Sequence, residues 1–213
     1  ERGTAILLGI LGEGPDGGIT TFRNVLLSLT DPPTIYEKRH LVPFGEYYPM
    51  PEFVRNWLRL MSLPAGDALP GAADQPPIEI AGEKIAVTIC YEDVFGAEQL
   101  HYLPEATLLV NVSNDAWFGD SIAPHQHLQI ARVRAAEAGR YLLRSTNTGV
   151  SAVIDPRGAL VGTIPQFEPG VLTASVRGHT GATPYARWGN YPVVIGALLA
   201  LAAAIWLPSR RRS

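Results

Sequence analysis

Cysteine is nearly absent from this chain of 213 residues: there is one, Cys90. A single cysteine excludes an internal disulfide, so cysteine usage says nothing of the redox compartment. Lysine is almost as scarce, with Lys38 and Lys84 alone, and arginine supplies the remaining positive charge. No block of one sign stands out, and a formal net charge of −3 gives no reason to expect a nucleic-acid partner. Repeats and low-complexity tracts are missing too. Neither an initiator Met nor a signal peptide precedes the strand-like Ala5–Ile10, so the chain reads as a piece of a longer protein. Its size allows one substantial core.

Charge is also missing from the C-terminal stretch Pro192–Leu207, which is uncharged and mostly apolar. At ~1.5 Å per residue it reaches roughly 24 Å, somewhat short of a hydrocarbon core. Tyr191 and Trp206 stand where interfacial aromatics would, and Arg210-Arg211-Arg212 close it. A transmembrane helix over 192–207 is expected, with the arginines (208–213) cytoplasmic and everything before it on the outer side. The preceding organisation is a domain over 1–183 and a linker over 184–191.

Within that domain, apolar strands alternate with helical stretches. Strands are expected at Ala5–Ile10, Asn24–Leu29, Lys84–Cys90, Thr107–Val112, Tyr141–Thr146, Ser151–Ile154 and Val171–Val176. Pro124–Gly139 and Glu52–Ser62 read as helices, Pro64–Pro77 as a surface loop and Asp155-Pro156-Arg157-Gly158 as a turn. A mixed sheet covered by helices follows, an α/β fold.

Three polar clusters each follow a strand end. The first, Tyr36–Pro49, holds Lys38, His40 and Glu46. In the second, the β-branched run Ile85–Ile89 ends at Cys90-Tyr91-Glu92-Asp93, where a nucleophile would be held on a rigid strand and open to a pocket. The third is Asn111–Asp120, with Asn114, Asp115 and Trp117. Such clusters at neighbouring strand ends are what a pocket at a sheet edge requires. Asn114 and Asp115 fit a hydrogen-bonded turn equally well. His125 and His127, two apart on a helix, do not share a face, so no metal site is expected.

These residues resemble the nitrilase superfamily. Lys38 in K-R-H-L-V-P-F-G-E-Y, Cys90 in I-C-Y-E-D and the N-V-S-N-D-A-W-F-G-D run carry the likeness. Within it the chain is similar to the apolipoprotein N-acyltransferase branch, through H-L-V-P-F-G-E-Y-Y-P, A-P-H-Q-H-L-Q-I-A-R-V-R-A-A-E, R-S-T-N-T-G-V-S-A-V-I-D-P-R-G and T-P-Y-A-R-W-G-N before the apolar tail. The resemblance implies an αββα sandwich, incomplete at its N-terminus, followed by one transmembrane helix. It implies that Cys90 is the nucleophile, that Lys38 stabilises an oxyanion with the Tyr91 N–H, and that Glu46 and Glu92 are supporting acids. Asn114, Trp117 and Trp57 would contact substrate, and Glu52–Leu69 reads either as an arm that dips into the bilayer or covers the pocket, or as ordinary core packing. The family's general-base glutamate falls in a segment before Lys38 that has no counterpart here; Glu1, Glu13 and Glu37 do not sit in its motif. The implied reaction passes a phospholipid acyl chain through a Cys90 thioester to the amine of a diacylated apolipoprotein, without a cofactor, at the periplasmic face of a bacterial inner membrane. A nitrilase-type amidase and a non-catalytic membrane-anchored binding module are the alternatives.

Overall fold

The computed structural model describes residues 4–15, 21–61 and 68–209. Strand β1 (Leu7–Glu13), β2 (Phe22–Ser28) and β3 (Thr34–Glu37) form an antiparallel three-stranded sheet. Helix α1 (Glu52–Leu60) follows. A six-stranded sheet then takes β4 (Ile78–Ile80), β5 (Glu83–Ile89), β6 (Leu108–Ser113), β7 (Leu142–Thr146), β8 (Ser151–Ile154) and β9 (Leu160–Ile164) in sequence order. Its centre, β5-β6-β7, is parallel, and the flanking pairs are antiparallel. Short helix α2 (Gly96–Gln99) lies between β5 and β6, and the long α3 (Ala123–Ala138) between β6 and β7. Helices α4 (Pro184–Trp188) and α5 (Tyr191–Ser209) end the chain.

Strand β5 shows why its sequence is a continuous apolar run. Its alternate residues point into two cores, so neither face is wet. Ala86, with Leu109, Leu142, Ala152 and Ile154, meets Leu128, Ala131, Ala135 and Ala138 of α3. Ile85, Val87 and Ile89, with Leu108 and Val110, meet Leu26 and Tyr36 of the three-stranded sheet. The order of layers is helix, sheet, sheet. On the outer face of the three-stranded sheet, Leu8, Ile10 and Ile35 are exposed, and among the described residues the sandwich shows three of the four layers expected.

The strand pattern differs from the sequence reading in places. Strands β3, β4 and β9 were not expected; each is short or carries polar residues that break the apolar pattern. The β4–β5 hairpin turns on Ala81-Gly82, both at positive φ (52° and 84°), which a two-residue turn of the right twist requires. Val171–Val176 is not a strand but part of an extended strap over 165–183. That strap is fixed at intervals. The Gly178 N–H donates to Glu83 (3.1 Å), the His179 N–H to the Thr107 carbonyl (3.0 Å), and Arg140 Nη2 to the Gly181 carbonyl (2.7 Å). The expected loop Pro64–Pro77 lies partly outside the described residues. From Ala68 onward it is no free surface loop: Gln75 exchanges hydrogen bonds with the backbone of Glu37 (2.8 and 2.7 Å) and so covers the open edge of β3.

The expected linker forms α4 and the expected span forms α5. Among the described residues no helix is long and apolar enough to cross a membrane. The basic tail Arg210–Arg212, on which the orientation rested, lies outside the described residues.

Candidate active site

Strand β5 stops at Cys90 because the backbone turns there. Cys90 takes a φ of 53°, in the left-handed region that a side chain rarely occupies, and opens the 3-10 turn Cys90–Val94. Such strain persists only where the surroundings over-determine it. Glu92 supplies part of that determination. It is buried and accepts from the N–H of Ile89 (2.7 Å), the N–H of Arg39 (2.6 Å) and the Tyr36 hydroxyl (3.2 and 3.1 Å). One carboxylate thereby ties the cysteine turn to the end of β3, and Lys38 arrives beside Cys90. Burial raises the Glu92 pKa, and these donors work against the rise.

Lys38 is 1% exposed, unlike most lysines. Its ammonium sits on both oxygens of Glu46, each at 2.7 Å. Glu46 also accepts from the Val42 N–H (2.7 Å) and Asn24 Nδ2 (2.7 Å), so its acceptor sites are taken. Burial pushes the Cys90 thiol pKa up; the Lys38 charge, the Ser113 hydroxyl and the Tyr91 N–H pull it back down. Cys90, Tyr91, Lys38, Glu46 and Glu92 thus lie together at this strand end.

Three other candidates do not join them. Asn114 uses its side chain to accept from the Ala116 N–H (3.2 Å), capping the 3-10 turn Asp115–Phe118. Trp117 and Trp57 stand at the surface, 75% and 56% exposed. A cavity of about 420 Å³ opens nearby, lined by Arg39, His40, Gly71, Ala73 and Glu98 and by neither Cys90 nor Lys38.

Behind Cys90 lies a group that sequence reasoning passed over. His127 of α3 is buried between Asp115 Oδ1 (3.1 Å, through Nδ1) and Asp93 Oδ1 (3.0 Å, through Nε2). Burial opposes its charge, yet the bonds to Asp115 and Asp93 raise its pKa to about 9. Arg144 of β7, also buried, reaches Asp115 (3.0 Å), Asp93 (3.6 Å) and Asn111. Two anions and two cations balance. Gly149 lets the backbone approach: a Cβ there would stand 2.0 Å from Asp115 Oδ2. The signal was an arginine and an asparagine inside otherwise apolar strands, Leu142-Leu143-Arg144 and Leu109-Val110-Asn111. A charge facing a core demands a partner.

The carbon-nitrogen hydrolase family model matches residues 1–185. The chain belongs to the carbon-nitrogen hydrolase family. The solved structures agree with that fold. An amidase from Nesterenkonia superposes with a TM-score of 0.58 at 22% identity, covering 92% of this chain and 67% of that one. The NitFhit protein of C. elegans gives 0.57 at 20% identity, covering 76% and 40%. Among curated relatives, the apolipoprotein N-acyltransferase of Nitrosomonas europaea is 48% identical over 90% of this chain and 39% of its own length. That of Methylococcus capsulatus is 45% identical over 100% of this chain and 42% of its own length. This carbon-nitrogen hydrolase chain therefore spans about two-fifths of those relatives.

Proposed function

We propose that this chain is the acyl-transferring part of an apolipoprotein N-acyltransferase. The observation that carries the reading is Cys90 at a strained strand tip, beside a buried lysine held on a carboxylate. The identity to relatives bearing that name supports it.

In this reading the Cys90 thiolate attacks the ester carbonyl of a phospholipid. The carbonyl oxygen gathers negative charge, which the Lys38 ammonium and the Tyr91 N–H offset. Collapse expels the lysophospholipid alkoxide, which takes a proton, and leaves a thioester on Cys90. The α-amine of a diacylglyceryl-cysteine then attacks that carbonyl. The C–S bond breaks, the amide forms, and the amine's proton passes to a base. Glu46 and Glu92 do not serve as that base, because their oxygens are already occupied by donors. They hold Lys38 and the cysteine turn in place.

Both substrates are lipids, and two helices with exposed apolar residues suit that. On α1, Phe53, Trp57 and Leu60 are exposed. On α5, Val193, Leu198, Leu199, Ile205 and Trp206 are exposed, and no charged residue lies between Tyr191 and Trp206. A helix that is apolar all round and exposed along its length suits lipid. We propose on that ground that α5 contacts the membrane without the described helix itself spanning it, with the catalytic domain at the periplasmic face.

The test uses the full protein in detergent with phospholipid and a diacylated lipopeptide. Mass spectrometry should find an acyl group on the Cys90 peptide and triacylated product. Cys90→Ala should abolish both. Turnover by Cys90→Ala at the wild-type rate sinks the reading.

A further inference from the structure

The buried charges behind Cys90 have no part in the chemistry above, yet they reach the sulfur in two steps. Strands β5 and β6 are parallel, with Ile89 opposite Val112, so the next residues, Cys90 and Ser113, lie side by side. The Ser113 hydroxyl donates its one proton to Asp115 Oδ1 at 2.6 Å. Asp115 in turn is held by His127 and Arg144. His127 Nε2 also faces the Cys90 carbonyl at 3.3 Å, at the strained residue itself.

A hydroxyl has one proton, and the Asp115 carboxylate competes with the thiolate for it. The outcome depends on how much negative charge Asp115 keeps. We propose that His127, clamped between Asp93 and Asp115, is a positioning residue that neutralises Asp115 and so frees the Ser113 hydroxyl to turn toward the Cys90 sulfur as its charge forms. This rests on Cys90 being the nucleophile. The groups facing His127 are Asp93 from the turn after β5, Asp115 from the turn after β6 and Arg144 from β7; Lys38 faces the sulfur from the other sheet. Removing the imidazolium leaves Asp93 and Asp115 with Arg144 alone. The net charge behind the thiol then changes from balanced to negative, and Asp115 holds the Ser113 proton more tightly. Both changes disfavour the thiolate, in the same direction as the Asp115 charge already acts on it.

The test reads thiol reactivity rather than turnover. The full protein in detergent is alkylated with iodoacetamide over a range of pH, and labelling is followed on the Cys90 peptide by mass spectrometry. In His127→Gln, labelling at neutral pH, where the wild-type imidazole is charged, should slow by about tenfold, the change in thiolate fraction for a shift of about one pH unit. Ser113→Ala should slow it by less. The double variant His127→Gln/Asp115→Asn should return it toward wild type, which a purely structural loss would not do. Circular dichroism and thermal unfolding establish that each variant is folded; if His127→Gln is not, Ser113→Ala decides. Neutral-pH labelling rates equal to wild type in the folded variants overturn the proposal, as does a double variant no better than the single. Failure of the nucleophile reading looks different: acyl transfer would survive Cys90→Ala while the alkylation shifts remained.

Discussion

Two ionic clusters flank Cys90, and they are built differently. On the side of the three-stranded sheet, Lys38 and Glu46 form one pair, with Glu46 partly open to solvent. On the side of the six-stranded sheet, Asp93, Asp115, His127 and Arg144 form a closed set in which the arginine and both aspartates have no exposed side-chain surface. The first keeps one member partly open to solvent. The second cannot move without stranding a charge in the core, where desolvation costs several kcal/mol per ion. The proposed chemistry draws on the pair, and the proposed positioning on the set.

The largest test of that contrast removes Arg144. In Arg144→Ala two aspartates lose a buried partner, and unfolding should become easier by about 3–5 kcal/mol. Chemical denaturation monitored by tryptophan fluorescence measures it; a loss below about 1 kcal/mol would mean the set does not hold the fold. Next, Lys38→Ala should slow the acyl-transfer step by about 10²–10³-fold, as for loss of one oxyanion donor. Its stability should fall less than that of Arg144→Ala, since Glu46 keeps Val42 and Asn24. Single-turnover kinetics beside unfolding curves separate the two. Equal destabilisation in both variants would erase the distinction.

The smallest test is pH. His127 has a folded pKa of about 9 against an ordinary 6.5. Its contribution to stability is therefore complete below pH 6.5 and is lost as pH rises through about 9. Melting temperature should decline across that window in wild type and stay flatter in His127→Gln. Matching profiles would show that the imidazole is neutral in the folded protein.

The pocket side was far more legible in the sequence than the buried side. Lys38, Cys90, Glu46 and Glu92 sit in short local motifs, and the apolar run Ile85–Ile89 marks the strand that ends at Cys90, whereas the short β3 before Lys38 carries no such run. The buried set is scattered over the turn after β5, the turn after β6, α3 and β7. Only the parallel register of β5-β6-β7 brings it together. His127 was read by its spacing to His125, which tests for a shared metal and says nothing of partners on other elements. Val171–Val176 misled for a similar reason. Its β-branched residues favour extended backbone, but it runs in a strap fixed just beyond it, where Gly178 and His179 donate to Glu83 and Thr107.

That same strap has a mechanical side. A free linker between a domain and a bilayer helix behaves as a spring whose reach grows with its length. Here the span between β9 and α4 is riveted to the sheet at Glu83 and Thr107 and to the end of α3 through Arg140. Little slack is left to stretch. A pull on α4 is therefore passed to the sheet and to α3 rather than absorbed by the strap.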